Sequence, residues 1–496
     1  MLFNSYRFMA FFPIVLALYY AVPEKAKRPW LLAASYFFYM SWNARYGLLL
    51  FGCTLVSYGG AIAIEKLQNA TDKRRRKGVF IVSLVLLFIA LFCYKYLNFA
   101  LAVLQRALSI INIPFSAVRF DIILPVGISF FTFQAAGYLI DVWRGNTKAE
   151  QNFVKYALFV SFFPQLVAGP IERSKDLLSQ LEKPKQFDFD LAKDGVFQMI
   201  WGYFLKIVIA DRAAIFVDAI YSDVYEAEGS ILIEATILFA FQIYCDFAGY
   251  STIARGAAQI LGIRLTSNFN SPYCALSIRD FWRRWHITLS TWFRDYVYIP
   301  LGGSRCSKFR SYLNIMIAMA VSGLWHGAGF HFIAWGCLHG ALQVFERMTD
   351  KIRVYIPKAI QWLITFFWVC IGWCLFRAPS LRSGLYVIKR MGGAVLKGRI
   401  FKSLELYQYF SVSDDARHFQ LAFAFDAHDM HLLLICITFM LLIDFIKYKG
   451  VSPSKLLAKQ NPAIQMFSVA FAVTFIAIFG IWGSSFNAAN FIYFQF

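Results

Sequence analysis

Apolar residues in this chain come in long, nearly unbroken runs separated by short polar breaks that are mostly basic. Strict alternation, the mark of half-buried strands, is absent, so the runs predict helices. About 20 apolar residues in a helix cover a bilayer core of roughly 30 Å, and several runs reach that length. Residues 8–21 form a short apolar segment, re-entrant or strongly tilted, followed by a basic break at 24–28 and spans near 30–46 and 47–65. Residues 78–96 span again, and 99–113 are amphipathic enough to lie along the interface. The run 122–142 is apolar but carries Pro125, Gly127, Gln134 and Asp141. The next, 153–167, leaves regular helix at or before Pro170, because the residue preceding a proline avoids the helical region. Residues 174–194 read as a loop or surface helix, with spans near 195–219 and 230–246.

The membrane pattern breaks over 277–310 and resumes at 312–324, 330–345 and 360–376. Residues 385–395 are few and carry Lys389 and Arg390, so that segment is expected to lie flat at the interface. A polar insertion at 396–430 precedes the last spans, 431–447 and 463–482. The pattern predicts an all-α polytopic membrane protein, a single membrane-embedded domain over 1–496 with no internal repeat of the kind that marks many secondary transporters.

Composition agrees. Of 496 residues 59% are hydrophobic, against about 45–50% in soluble domains, and 53 phenylalanines and 26 tyrosines suit lipid-facing and interfacial positions. The net charge of +20 would suggest nucleic acid in a soluble protein. Here the bases sit in short loops between spans, where topology and anionic headgroups account for them, so no nucleic-acid partner is expected. Part of the excess would also suit an anionic cytosolic ligand. The cluster Lys73-Arg74-Arg75-Arg76-Lys77 marks the cytoplasmic side, and counting spans backward puts the 24–28 loop inside as well. Nine scattered cysteines form no CxxC pair, and residues 8–21 lack a cleavage site and read as retained.

Candidate chemistry begins where residues 312–324 end, at His326 between Trp325 and Gly327. Ionisable groups at membrane depth are costly, by about 2.5–3.5 kcal/mol for charged types, and so are functional candidates. A neutral imidazole escapes most of that cost and is a competent general base. The alternative is a packing histidine bonded to a backbone carbonyl. His326 and His331 lie about 140° apart around a helix, so a zinc site is not expected. Asp246, also in apolar surroundings, is expected to bond Tyr or Ser hydroxyls on a neighbouring helix. The break at 277–310 interleaves Arg279, Arg283 and Arg284 with Trp282, Trp285 and His286. That pattern suits an interfacial helix, and equally a funnel for a ligand carrying phosphates and an adenine ring.

Three stretches together resemble the membrane-bound O-acyltransferase (MBOAT) family, in its bacterial alginate O-acetylation branch: 279–290 (RDFWRRWHITLS), 322–327 (SGLWHG) and 242–251 (QIYCDFAGYS). Residues 124–133 (LPVGISFFTF) and 163–172 (FPQLVAGPIE) resemble that branch too, and the likeness extends from about 5 to 345. The resemblance implies a ring of about 11–13 tilted transmembrane and re-entrant helices around a transmembrane tunnel, in the bacterial cytoplasmic membrane. It implies His326 as general base, His286 as an assisting or positioning group, and Arg279, Arg283, Arg284 and Trp285 as candidates for holding the acyl donor. The donor implied is acetyl-CoA, as substrate, with no permanently bound cofactor and no metal. The tail 491–496 resembles the branch's aromatic C-terminal motif, which implies Tyr493 as the acyl-receiving hydroxyl. An interfacial tyrosine anchoring the tail is the alternative. An extracytoplasmic, SGNH-hydrolase-like partner would then pass the acyl group to an envelope polysaccharide. Transfer of D-alanine to teichoic acid is the nearest alternative, and a transporter moving protons through Asp246 and the histidines is a more distant one.

Overall fold

A computed structural model describes residues 1–68, 73–398, 425 and 427–482, and among these every regular element is helical. Tyr493, with the rest of 491–496, lies outside the described residues, as does most of the 396–430 insertion. Among the described residues, six helices are long and apolar enough to cross a membrane: Ala44–Lys66, the continuous run Lys73–Ile110, Gly229–Ile260, Lys358–Arg377, His428–Tyr448 and Pro462–Phe479. The protein is a multi-pass, all-α membrane protein.

Two boundaries differ from the sequence reading for physical reasons. Segments 78–96 and 99–113 are one helical run of 38 residues, because a π-turn at Phe92–Tyr96 absorbs the change in hydrophobic phase without ending the helix. The span expected to stop near 246 continues to Ile260. Asp246 does not end it, because its charge is compensated within the protein.

The described chain forms two compact units. The first comprises Met1–Met199 with Ile253–Ser267. In it Arg76, from the basic cluster, donates to the carbonyls of Ile64 (3.3 Å) and Trp143 (2.7 Å), closing the C-terminal ends of helices Ala44–Lys66 and Ile128–Arg144. Helix Phe153–Ser161 breaks before Pro164, and the Phe163 N–H turns to Ser35 Oγ (3.1 Å). The Phe159 carbonyl takes instead the side-chain amides of Gln134 (2.7 Å) and Gln165 (2.9 Å), which explains a glutamine inside the apolar run 122–142.

The second unit comprises Ile200–Thr252 and the described residues from Asn268 onward. It contains a π-turn, Phe204–Ala210, with an i to i+5 bond from the Asp211 N–H to the Lys206 carbonyl. That register stacks the two side chains, and Lys206 Nζ lies 2.6 Å from Asp211 Oδ1 and 2.6 Å from Asp246 Oδ1. Gly249 admits the approach, since a Cβ there would come within 2.8 Å of the Gly202 carbonyl and 2.9 Å of the Lys206 nitrogen. Asp246 thus has an ammonium partner that the sequence reading did not name, supplied by a lysine inside an otherwise apolar segment. Helices Lys308–His326 and Phe330–Met348 pair closely along their length. A Cβ on Gly323 would strike the Phe332 carbonyl, and one on Gly336 the Met319 carbonyl, so these glycines set the helix separation.

Candidate active site

His326 is the last residue of helix Lys308–His326, and extended backbone at Gly327 ends the helix there (φ −164°, ψ 155°). Gly327 also leaves room for the Phe332 ring, which a Cβ would overlap. The imidazole is 5% exposed and meets three aromatic rings nearly edge to face: Trp325 at 4.9 Å, Trp335 at 5.0 Å and Phe376 at 5.4 Å between centroids. A helix C-terminus carries partial negative charge, worth about 0.3–1 kcal/mol to a nearby cation. The position therefore favours a histidine that accepts a proton.

His286 reaches the same place from another element. Ser277 caps helix Ile278–Arg284 by accepting from the Asp280 N–H (2.8 Å), and Glu346 accepts from the N–H groups of Ile278 (2.7 Å) and Arg279 (3.1 Å). The next helix, Ile287–Phe293, starts after a turn with His286 at φ +43°. His286 is fully buried, packed edge to face on Phe247 (4.6 Å), and its ring centroid lies 6.5 Å from that of His326. Burial pushes its imidazole down to about 3, so it stays neutral at physiological pH.

Two buried imidazoles at this spacing, walled by aromatic rings, can take a proton from a hydroxyl and return it to a leaving group with little bulk water present. Low local dielectric strengthens each polar contact made there.

The other sequence-predicted residues have distinct surroundings. Arg279 is engaged by Asp350 and by Glu346, and Arg284 by Asp280 (2.9 Å) and the ring of Tyr448 (4.9 Å). Arg283 is exposed and makes no ion pair among the described residues. Trp285 is buried, packed on Phe269 (5.1 Å), Phe281 (5.4 Å) and Trp373 (5.0 Å). The structure therefore brings His286 and His326 together and gives the arginines to the adjoining helix, with Trp285 inside the aromatic core. Sequence reasoning missed Trp335, Phe376 and Phe247 as walls of the site. Trp335 and Phe376 had one available signal, tryptophan and phenylalanine recurring near glycine and histidine in 325–339 and 372–376.

The model of the membrane-bound O-acyltransferase family matches residues 148–356, which include both histidines. The chain is 40% identical over 387 residues to the probable alginate O-acetylase AlgI of Pseudomonas aeruginosa, covering 77% of this chain and 73% of that protein. It is 36% identical over 481 residues to the peptidoglycan O-acetyltransferase of Helicobacter pylori, covering 89% of each. A more distant likeness, 30% over 272 residues, links it to the teichoic acid D-alanyltransferase of Bacillus subtilis, with 51% of this chain and 68% of that one covered. The chain belongs to the membrane-bound O-acyltransferase family, in its alginate O-acetylation branch, and is an O-acyltransferase.

Proposed function

We propose that this protein moves an acetyl group from cytosolic acetyl-CoA across the bacterial cytoplasmic membrane for O-acetylation of an envelope polysaccharide. The observation that carries the reading is the pair of buried imidazoles 6.5 Å apart, one at a helix C-terminus. The names of the relatives, two of them O-acetylating enzymes, favour acetyl as the cargo. In this reading the Tyr493 hydroxyl attacks the thioester carbonyl as His326 takes its proton. The C–S bond breaks, and the CoA sulfur leaves with the proton that His326 returns. An acetyl ester on Tyr493 and free CoA result. His286 orients the reacting groups. A phenol with a pKa near about 10 needs such a base at neutral pH.

Arg283, exposed and without an ion pair among the described residues, is the arginine best suited to the donor's phosphates; Arg279 and Arg284 would have to exchange carboxylates for them. The ester would then be collected by an extracytoplasmic, SGNH-hydrolase-like partner, which hands the acetyl group to the polymer.

Purified protein incubated with acetyl-CoA labelled in the acetyl group is expected to acquire covalent label, and Tyr493→Phe and His326→Ala are expected to lose it. Label retained in Tyr493→Phe but lost in His326→Ala would move the acceptor to another residue. Label from a D-alanyl carrier protein and none from acetyl-CoA would overturn acetyl as the cargo.

A further inference from the structure

His286 sits at φ +43°, a left-handed conformation that residues other than glycine adopt only when their surroundings hold them there. The helices on either side, Ile278–Arg284 and Ile287–Phe293, have seven residues each and are too short to impose such a turn. The restraint comes from residues 268–270. The Asn270 N–H donates to the Arg284 carbonyl (3.0 Å), and the Ile287 N–H donates to the Asn268 carbonyl (2.9 Å), so two backbone bonds bracket the His286 turn.

The Asn268 side chain extends the restraint in two directions. Its Oδ1 accepts from Thr288 Oγ1 (2.6 Å), two residues past His286, and its Nδ2 donates to Ser251 Oγ (3.2 Å) on helix Gly229–Ile260. Asn268, Thr288 and Ser251 are all buried. One helical turn before Ser251 on the same helix stands Phe247, whose ring packs on the His286 imidazole. The turn carrying His286 is therefore tied to the helix that supplies the aromatic wall for its ring. The task needs one acceptor and one donor on a short planar group, and among side chains of this length only asparagine offers both.

We infer that Asn268 is a positioning residue of the acyl-transfer site, acting through His286 by linking its turn to Ser251 and Thr288. The inference rests on the proposed acetyl transfer for its turnover measurement alone. Asn268→Ala in the full chain is expected to lower kcat for acetyl transfer by about tenfold to a hundredfold, the range for small misplacements of a reacting group, with KM unchanged. Thr288→Val, which replaces only the hydroxyl by a methyl group, is expected to lower kcat in the same sense, and Thr288→Ser to restore it. In a His286→Ala background Asn268→Ala is expected to add nothing. A further loss in the double variant, or full kcat in both Asn268→Ala and Thr288→Val, overturns the inference. Histidine-selective ¹⁵N spectra give an arm independent of turnover. The His286 resonances, assigned with His286→Ala, are expected to shift in Thr288→Val and in Asn268→Ala, and unchanged spectra overturn the role even where Asn268→Ala folds poorly. Absent acetyl transfer in wild type alongside a shifted His286 would count against the acetyl reading and leave the positioning role standing.

Discussion

The histidine pair and the Lys206 cluster are both sealed inside the second unit, yet they solve opposite problems. His286 and His326 are wrapped by rings of Phe247, Trp325, Trp335 and Phe376, with His286 neutral. Lys206 instead lies 2.6 Å from each of two buried carboxylates, Asp211 and Asp246. The next residue, Arg212, pairs with Asp429 and donates to the Phe479 carbonyl (2.6 Å), the last of helix Pro462–Phe479. The ion pairs of the cluster act as struts. A group that must gain and lose a proton in each cycle cannot sit in such a network, because each change would unbalance it. Aromatic walls hold an imidazole in place without fixing its charge.

The sharpest way to break this contrast is to compare His326→Ala with Lys206→Met. Removing a positioned base typically costs about 10²–10⁴-fold in rate, so His326→Ala should lose acyl transfer to that degree. It leaves the Lys206 ion pairs intact, and its melting temperature should fall less than that of Lys206→Met. Equal losses of activity and melting temperature would mean that His326 is a packing residue.

Lys206→Met should do the reverse, lowering stability by about 3–5 kcal/mol, because it strands two buried carboxylates without their cation. Replacing all three members together, as Lys206→Met with Asp211→Leu and Asp246→Leu, should recover most of that stability, measured as melting temperature in one detergent. Failure of the triple variant to recover would assign the cluster a role beyond charge balance.

The two regions were also unequally legible in the sequence. His326 stood out because a long apolar run stops at it, and His286 because it follows a dense Arg-Trp pattern. Their convergence to 6.5 Å comes from a left-handed turn that periodicity does not encode. Asp246 was visible as a buried carboxylate, but its lysine was not. Lys206 lies in Phe-Leu-Lys-Ile-Val-Ile-Ala, where α-helical spacing puts it about 140° from Asp211, and only the π-turn restores their contact. Asn268 carried no signal, since it lies in Ser-Asn-Phe-Asn, of turn composition, and its partners at 251 and 288 are distant in sequence. The all-α membrane architecture was readable because it depends on composition and run length, whereas helix ends depended on single tertiary contacts.

Glu172, in the first unit and outside the spanning helices, is an intermediate case that refines the contrast. It is a buried carboxylate whose nearest partners are neutral donors, the Thr266 N–H at 2.6 Å and Thr266 Oγ1 at 3.1 Å. Burial raises its carboxyl from 4.5 to about 7, against the opposing pull of those hydrogen bonds and the more distant Arg255. Because the folded-state value lies above the unfolded one, the folded protein holds this proton more tightly. The stabilisation is fully present below about pH 4.5 and is lost as pH rises through about 7. Within that window the loss amounts to about 1 kcal/mol between pH 5 and pH 6, the smallest of the three effects. Glu172→Gln retains an acceptor for the Thr266 N–H and should flatten that part of the stability profile, measured as melting temperature against pH. A profile with the same slope in wild type and Glu172→Gln would mean that hydrogen bonding, not burial, governs this carboxyl. Neutral donors would then be enough to hold a buried charge in this protein, and the pairing of Lys206 with two carboxylates would need a different explanation.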